Sequence, residues 1–235
     1  MNKTLYLNRT ALTFALFVTF VIQGSAQQIA VKDLTIDHLV NPFSIDNPKP
    51  RFSWKITSSR KNTLQNGYEI RLGTSEKLNA NVLWSLKKDD GQSVLVPYGG
   101  PELASKTKYY WQVRVKDNQG QASDWSPVQY FHTGLKANDW KAKWITVSGK
   151  DTSLTSPYFR KEINLNKSVK SATAYITAKG LYEAHANGIR ISNDYFTPGW
   201  TSYKDHIQYQ VYDLSKSLRK GNNVIAALLG DGWYK

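Results

Sequence analysis

The sequence predicts an all-β chain of two successive sandwiches, the second of them incomplete. Three observations carry that expectation. Apolar residues recur at every second position in segment after segment, which is the period of a strand with one buried face. Clusters of Gly, Pro, Asn and Asp separate these segments at short intervals, as turns between strands require. Asn187-Gly188 lies between two alternating runs, a hairpin signal because both residues accept positive φ.

Residues 1–26 stand apart from either sandwich. Lys3 and Arg9 precede the apolar run Ala11 to Ile22, and small residues follow it up to Ala26. This is the pattern of a secretory signal peptide, with cleavage expected after Ala26. A run of 12 apolar residues falls short of the roughly 20 that span a bilayer. The sequence therefore predicts export, to the periplasm or the medium, with no membrane attachment after cleavage. Cysteine is absent, so neither disulfides nor a lipidated cysteine enter the account despite export.

The first sandwich is expected over residues 28–134. Strands are predicted near Ile29 to Val40, over "RFSWKI", over "GYEIRLG", near Val82 to Ser85, near Ser93 to Val96, over "YYWQVRV", and after Trp125-Ser126-Pro127. About seven short strands in roughly 105 residues suit a sandwich of the fibronectin type III or immunoglobulin kind. "GLKANDW" then forms a short polar joint without low complexity, so the two sandwiches are expected to touch.

The second sandwich is expected over 139–235. "SPYFRKEINL", "KSATAYITAKG", "YEAHANGIRIS", "YQVYDLS" and "NVIAALLG" supply five or six strands, whereas a jelly roll usually has eight. The run Val224 to Leu229 reads as a buried central strand, which needs neighbours on both sides. The module is expected to lack its closing strands, with Lys235 an internal position of a longer chain.

Formal charge is +13. Lys and Arg are scattered, with no run longer than pairs such as Lys87-Lys88. Together with export, this argues against a nucleic-acid role and reads as solvated faces. Zinc spacing, a nucleophile elbow and a P-loop are all missing. Glu162, Glu183, Asp194, Asp205, Asp213 and Asp231 stand mostly isolated near strands or turns.

Sugar binding is better supported. The chain holds 8 Trp, 14 Tyr and 8 Phe, and ring faces accept the C–H surfaces of a sugar while Asn and Asp fix its hydroxyls. Asn187, Asn193, Asp194, Trp200, Tyr203, Asp231 and Trp233 are the candidate sugar-binding residues, and Tyr234 shares the last of these loops. The same rings could instead cover the core or pack on a following domain, because a Pro-Gly-Trp turn also buries a ring well.

A family resemblance rests on an ordered series: "NPFSIDNPKPRFSWKI", "WQVRVKDNQGQASDWS", "WKAKWIT", "KGLYEAHANGIRISNDYFTPGWTSY", "QYQVYDLSKSLRKGNNVI" and "LGDGWY". In this order the segments resemble the N-terminal region of bacterial α-L-rhamnosidases, the inverting glycoside hydrolases of family 78. The resemblance implies a fibronectin-like domain followed by a carbohydrate-binding-like sandwich. It places the (α/α)6 catalytic barrel, with the acids of hydrolysis, beyond Lys235. Inverting hydrolysis needs two carboxyl groups about 6.5–9.5 Å apart, and no residue of this chain inherits either role.

Some members of that family have a calcium-dependent rhamnose site in this sandwich. Asn193 and Asp194 are the candidate metal pair, as oxygen ligands of a kind calcium accepts, although Asn-Asp is also ordinary turn chemistry. At the hairpin, Ala186 stands where a carboxylate would be wanted. The expectation is a non-catalytic N-terminal portion of an exported rhamnosidase, partnered by its own missing catalytic domains and by rhamnose-containing glycans, with no required cofactor. A self-contained secreted carbohydrate-binding protein is the alternative, and a structural spacer is a third reading.

Overall fold

A computed structural model describes residues 29–147 and 156–234. The predicted signal peptide lies outside the described residues. Thirteen strands and one short 3-10 turn make up the described regular structure, with no α-helix among them. The chain is all-β, as its alternating pattern requires.

The first unit holds β1 (Ala30–Ile36), β2 (Arg51–Thr57), β3 (Gln65–Gly73), β4 (Trp84–Lys88), β5 (Val96–Pro97), β6 (Lys108–Asp117) and β7 (Gln129–His132). One sheet has the order β1-β2-β5 and the other β4-β3-β6-β7, with antiparallel pairing throughout both. The inward residues of the two sheets meet in one core. Phe52 packs at 4.8 Å on Trp111, Trp54 sits edge-on to Tyr68 at 5.2 Å, and Ile70, Leu72, Val113, Val115 and Phe131 fill the space between. Before β6 the chain turns a corner that Tyr109 fixes, its hydroxyl accepting the Ala104 amide at 2.7 Å. This is the tyrosine-corner device of immunoglobulin-like sandwiches.

Three strand boundaries differ from the sequence expectation, each for a backbone reason. β1 stops at Ile36 because Asp37 and His38 take positive φ and reverse the chain. β4 starts at Trp84, since pairing with β3 begins at Leu72 opposite Trp84, and Val82 and Leu83 remain exposed. Between Ser93 and Val96 only the last residue joins a strand, because Leu95 has a φ of 53° and breaks the extension.

The second unit holds β8 (Tyr158–Leu165), β9 (Thr173–Ile176), β10 (Leu181–Ala186), β11 (Ile189–Arg190), β12 (Gln210–Asp213) and β13 (Gly221–Gly230). Its larger sheet has the order β11-β10-β13-β8, and β12 pairs with β9 in a second sheet. Asn187 and Gly188 form the β10–β11 turn with φ of 52° and 82°, as the dipeptide predicts.

β13 is central by pairing but not by burial. It hydrogen-bonds to β10 on one side and β8 on the other, yet Val224 to Leu229 are only half-buried. The opposing sheet has two strands against four. Its Ile176 and Tyr212 cover Tyr182 and Ala184 of β10, and the core they form takes only Leu229 from β13.

The joint between the units contains the 3-10 turn Ala137–Asp139. The units touch there: Tyr209 of the second bonds to Asp46 and to the Leu135 amide, and Trp140 packs edge-on to Tyr209 at 5.2 Å.

Candidate functional site

At one end of the second unit, two loops bring four aromatic rings together. Trp200 follows the Pro198-Gly199 turn, and Trp233 follows the end of β13. Gly232 makes the second placement possible: its φ is 54°, and a Cβ there would lie 2.8 Å from Leu181 Cγ. The Trp200 and Trp233 rings stack 5.9 Å apart, 17° from parallel. Beside them Tyr203 meets Tyr234 edge-on at 5.1 Å. Lys179 Nζ lies 5.3 Å from the Tyr234 ring and 5.6 Å from that of Trp144.

This cluster faces solvent. Trp200 is 78% exposed, Trp233 51% and Tyr234 48%. Clusters of large exposed rings of this kind are characteristic of interaction surfaces. A stacked indole pair offers a flat apolar face for a pyranose ring, and the Lys179 ammonium over Tyr234, next in sequence to Trp233, is a hydrogen-bond donor.

The other predicted residues divide into three groups. Asn187 belongs to the scaffold: its Oδ1 accepts the Val224 amide at 2.9 Å, and its Nδ2 donates to Ser217 O and Asn223 Oδ1. Tyr203 packs edge-on to Tyr234, its hydroxyl buried and, among the described residues, without a hydrogen-bond partner, as is Thr201 Oγ1. Asp231 lies in the same turn as Trp233, with its carbonyl accepting the Tyr234 amide at 3.1 Å.

Asn193 and Asp194 are exposed in the loop after β11. The Asp194 amide donates to Ser192 Oγ, its carbonyl accepts from the Arg190 guanidinium, and its carboxylate raises the pKa of Tyr212 alongside the dominant effect of burial. Calcium takes 6–8 oxygen ligands. Among the described residues no three His, Cys, Asp or Glu side chains gather to hold a metal, and the Asp194 carbonyl is taken by the Arg190 guanidinium. As they stand, these residues do not fit a calcium ion.

The remaining carboxylates of the unit have local partners. Glu183 pairs with His185 at 2.9 Å and Arg190 at 3.2 Å, Glu162 with Arg160 at 2.7 Å, and Asp205 accepts from Ser202 Oγ. Hydrogen bonds from Ser215 hold the Asp213 carboxyl below the usual range.

Comparison with known proteins places both units. Residues 31–137 match the Rha78A-like, N-terminal immunoglobulin domain, and residues 167–235 match the α-L-rhamnosidase N-terminal domain. An α-L-rhamnosidase of Formosa agariphila is 36% identical over 94% of this chain, and one of an Alteromonas species 34% identical over 96%. This chain belongs to the α-L-rhamnosidase family, as its N-terminal region. It covers 25% and 27% of those two relatives' lengths. The α-L-rhamnosidase structure from Dictyoglumus thermophilum superposes with a TM-score of 0.79 at 36% identity, covering 86% of this chain and 25% of that one. The Aspergillus terreus structure gives 0.75 at 29% identity, covering 88% and 24%.

The sequence singles out Trp200 and Trp233 as candidates but does not show that they stack, nor that Lys179 lies near the Tyr234 and Trp144 rings. A lysine directly before Gly180 carries no local sign of a ligand role, and only the fold brings it to the rings.

Proposed function

We propose that these two units are the non-catalytic N-terminal portion of an exported α-L-rhamnosidase, and that the second unit holds rhamnose-bearing glycans for the catalytic part of the enzyme. The exposed Trp200–Trp233 stack carries this reading. Rhamnose is a deoxy sugar, so one face presents C–H groups and a methyl to the indoles while its hydroxyls reach outward. Lys179 and the polar groups of the Asp231 turn stand at the rim to meet them.

Among the described residues of this unit Glu183, Glu162 and Asp205 are each held by a neighbour, which supports a binding role over a hydrolytic one. Binding requires no bound ion. The purified chain is expected to release nothing above background from an aryl α-L-rhamnoside. Measurable turnover that disappears when a single carboxylate is removed would overturn the assignment of a non-catalytic role.

A further inference from the structure

The outer face of the β4-β3-β6-β7 sheet in the first unit is a ladder of cations and rings. Lys108, Tyr110, Gln112, Arg114 and Lys116 alternate outward along β6, opposite the buried Tyr109, Trp111, Val113 and Val115. β3 adds Glu69 and Arg71, paired with Arg114 and Gln112, β4 adds Lys87 opposite Glu69, and β7 adds Tyr130 opposite Tyr110. Among the strand residues on this face, five cations stand against one carboxylate.

The rings order those cations. Lys108 Nζ lies 4.0 Å from the Tyr130 ring and 4.9 Å from that of Tyr110. Arg71 and Arg114 both approach Trp125, at 4.0 and 4.7 Å. Trp125 is held in place by its neighbours: the Val113 and Val115 amides donate to Ser126 Oγ and Ser123 Oγ, pinning the segment to β6 with the indole outward. Arg114 donates to the Glu69 carboxylate, and the Arg71 guanidinium donates to the neutral Gln112 oxygen at 2.7 Å. Beside Arg114 a cleft of about 170 Å³ opens, lined in part by Glu69, Lys87, Lys88, Asp89 and Lys116.

From Lys108 to Lys116 this ladder runs about 27 Å at the strand rise of roughly 3.4 Å per residue. Arg71 and Arg114 direct Nε and Nη2 to Gln112 and Glu69, so the ammonium groups of Lys87, Lys108 and Lys116 beside them are the donors that meet a carboxylate. We propose that this face is a second glycan-binding surface, one that takes an acidic polysaccharide strand through its uronate carboxylates. It is separate from the Trp200–Trp233 platform, and its charge complementarity, not an apolar groove, selects the ligand. Five of the chain's 31 basic residues thus share one sheet face.

The test is affinity electrophoresis of the whole 235-residue chain in polygalacturonate, with dextran as the neutral probe. Retardation in polygalacturonate that weakens steeply between low and physiological salt, with none in dextran, is expected. Lys87→Gln/Lys116→Gln should weaken the interaction about tenfold with an unchanged thermal midpoint. The matched pair Lys32→Gln/Lys49→Gln, which lies outside this face, should leave it within about twofold. Equal loss in the two double variants would show attraction by net charge alone and overturn the proposal. Absence of retardation of the wild-type chain at low salt, or full binding by Lys87→Gln/Lys116→Gln, would also overturn it.

Discussion

Tyr209 donates its hydroxyl proton to Asp46 Oδ1 at 2.6 Å, joining residues 163 positions apart across the two units. The Tyr209 hydroxyl oxygen itself accepts the Leu135 amide at 3.0 Å. Gly134 lies against both partners, so tightly that a Cβ there would sit 2.2 Å from Asp46 Oδ1 and 2.3 Å from Tyr209 Oη. One phenol thus ties the end of the first sandwich to the loop before β12.

Tyr209→Phe removes the donor and leaves the Leu135 amide without its acceptor. A loss of about 1 kcal/mol is expected, accompanied by faster amide exchange at Leu135 with the β6 amides unchanged. Gly134→Ala should loosen the joint further, because the methyl displaces both partners at once. Small-angle scattering that shows no larger spread of inter-unit distances in Gly134→Ala would contradict this role.

Burial, and then the hydrogen bond to Asp46, push the Tyr209 pKa up to about 12. A raised pKa favours the protonated, folded form. Its contribution is therefore fully present below the ordinary tyrosine value of about 10 and is lost as pH rises toward the folded value. The joint should open in an alkaline titration above pH 10, read by absorbance of the tyrosinate and scattering together. Tyr209→Phe should remove that step.

Asp117 makes the first unit sensitive to acid. Burial alone would raise its pKa, but the Arg60 guanidinium and the Gln121 and Gln119 amides outweigh it and hold the carboxyl below its usual range. A lowered pKa favours the ionised, folded form. The stability it contributes is present above the unfolded value of about 3.9 and is lost as pH falls through the folded one. Asp117→Asn should lower the thermal midpoint at pH 7 and flatten its dependence on pH below 4. An acid transition as steep as that of the wild type would contradict the assignment.

Asn223 plays a comparable part in the second unit. It is 1% exposed, and its amide group bonds to the Arg219 and Gly221 carbonyls, the Arg219 amide and Asn187 Nδ2. Asn223→Ala strands several of these groups and should cost about 2–3 kcal/mol, measured by urea denaturation.

Much of the fold was legible because the signals are local. The alternation in "YYWQVRV" sets which side of β6 is buried, and Asn187-Gly188 sets the hairpin register, each within a few residues. What sequence could not show depends on distant partners. Trp200 and Trp233 stand 33 positions apart, and their stacking follows from Gly232 turning over Leu181. The partners of Asn187 were hidden for a related reason: an exposed-looking turn amide bonds to Val224, Ser217 and Asn223, which only the return of the chain into β13 brings near. Likewise Trp125 reads as a strand-boundary residue until β3 and β6 bring two arginines to its ring.

The central claim is that the Trp200–Trp233 platform binds rhamnose, and calorimetric titration of L-rhamnose into the 235-residue chain measures it most directly. Saturable binding is predicted, unchanged by a calcium chelator. Trp200→Ala should abolish it while shifting stability by less than about 0.5 kcal/mol, since the ring is largely exposed. No heat of binding to the wild-type chain, or full affinity in Trp200→Ala, would contradict the claim.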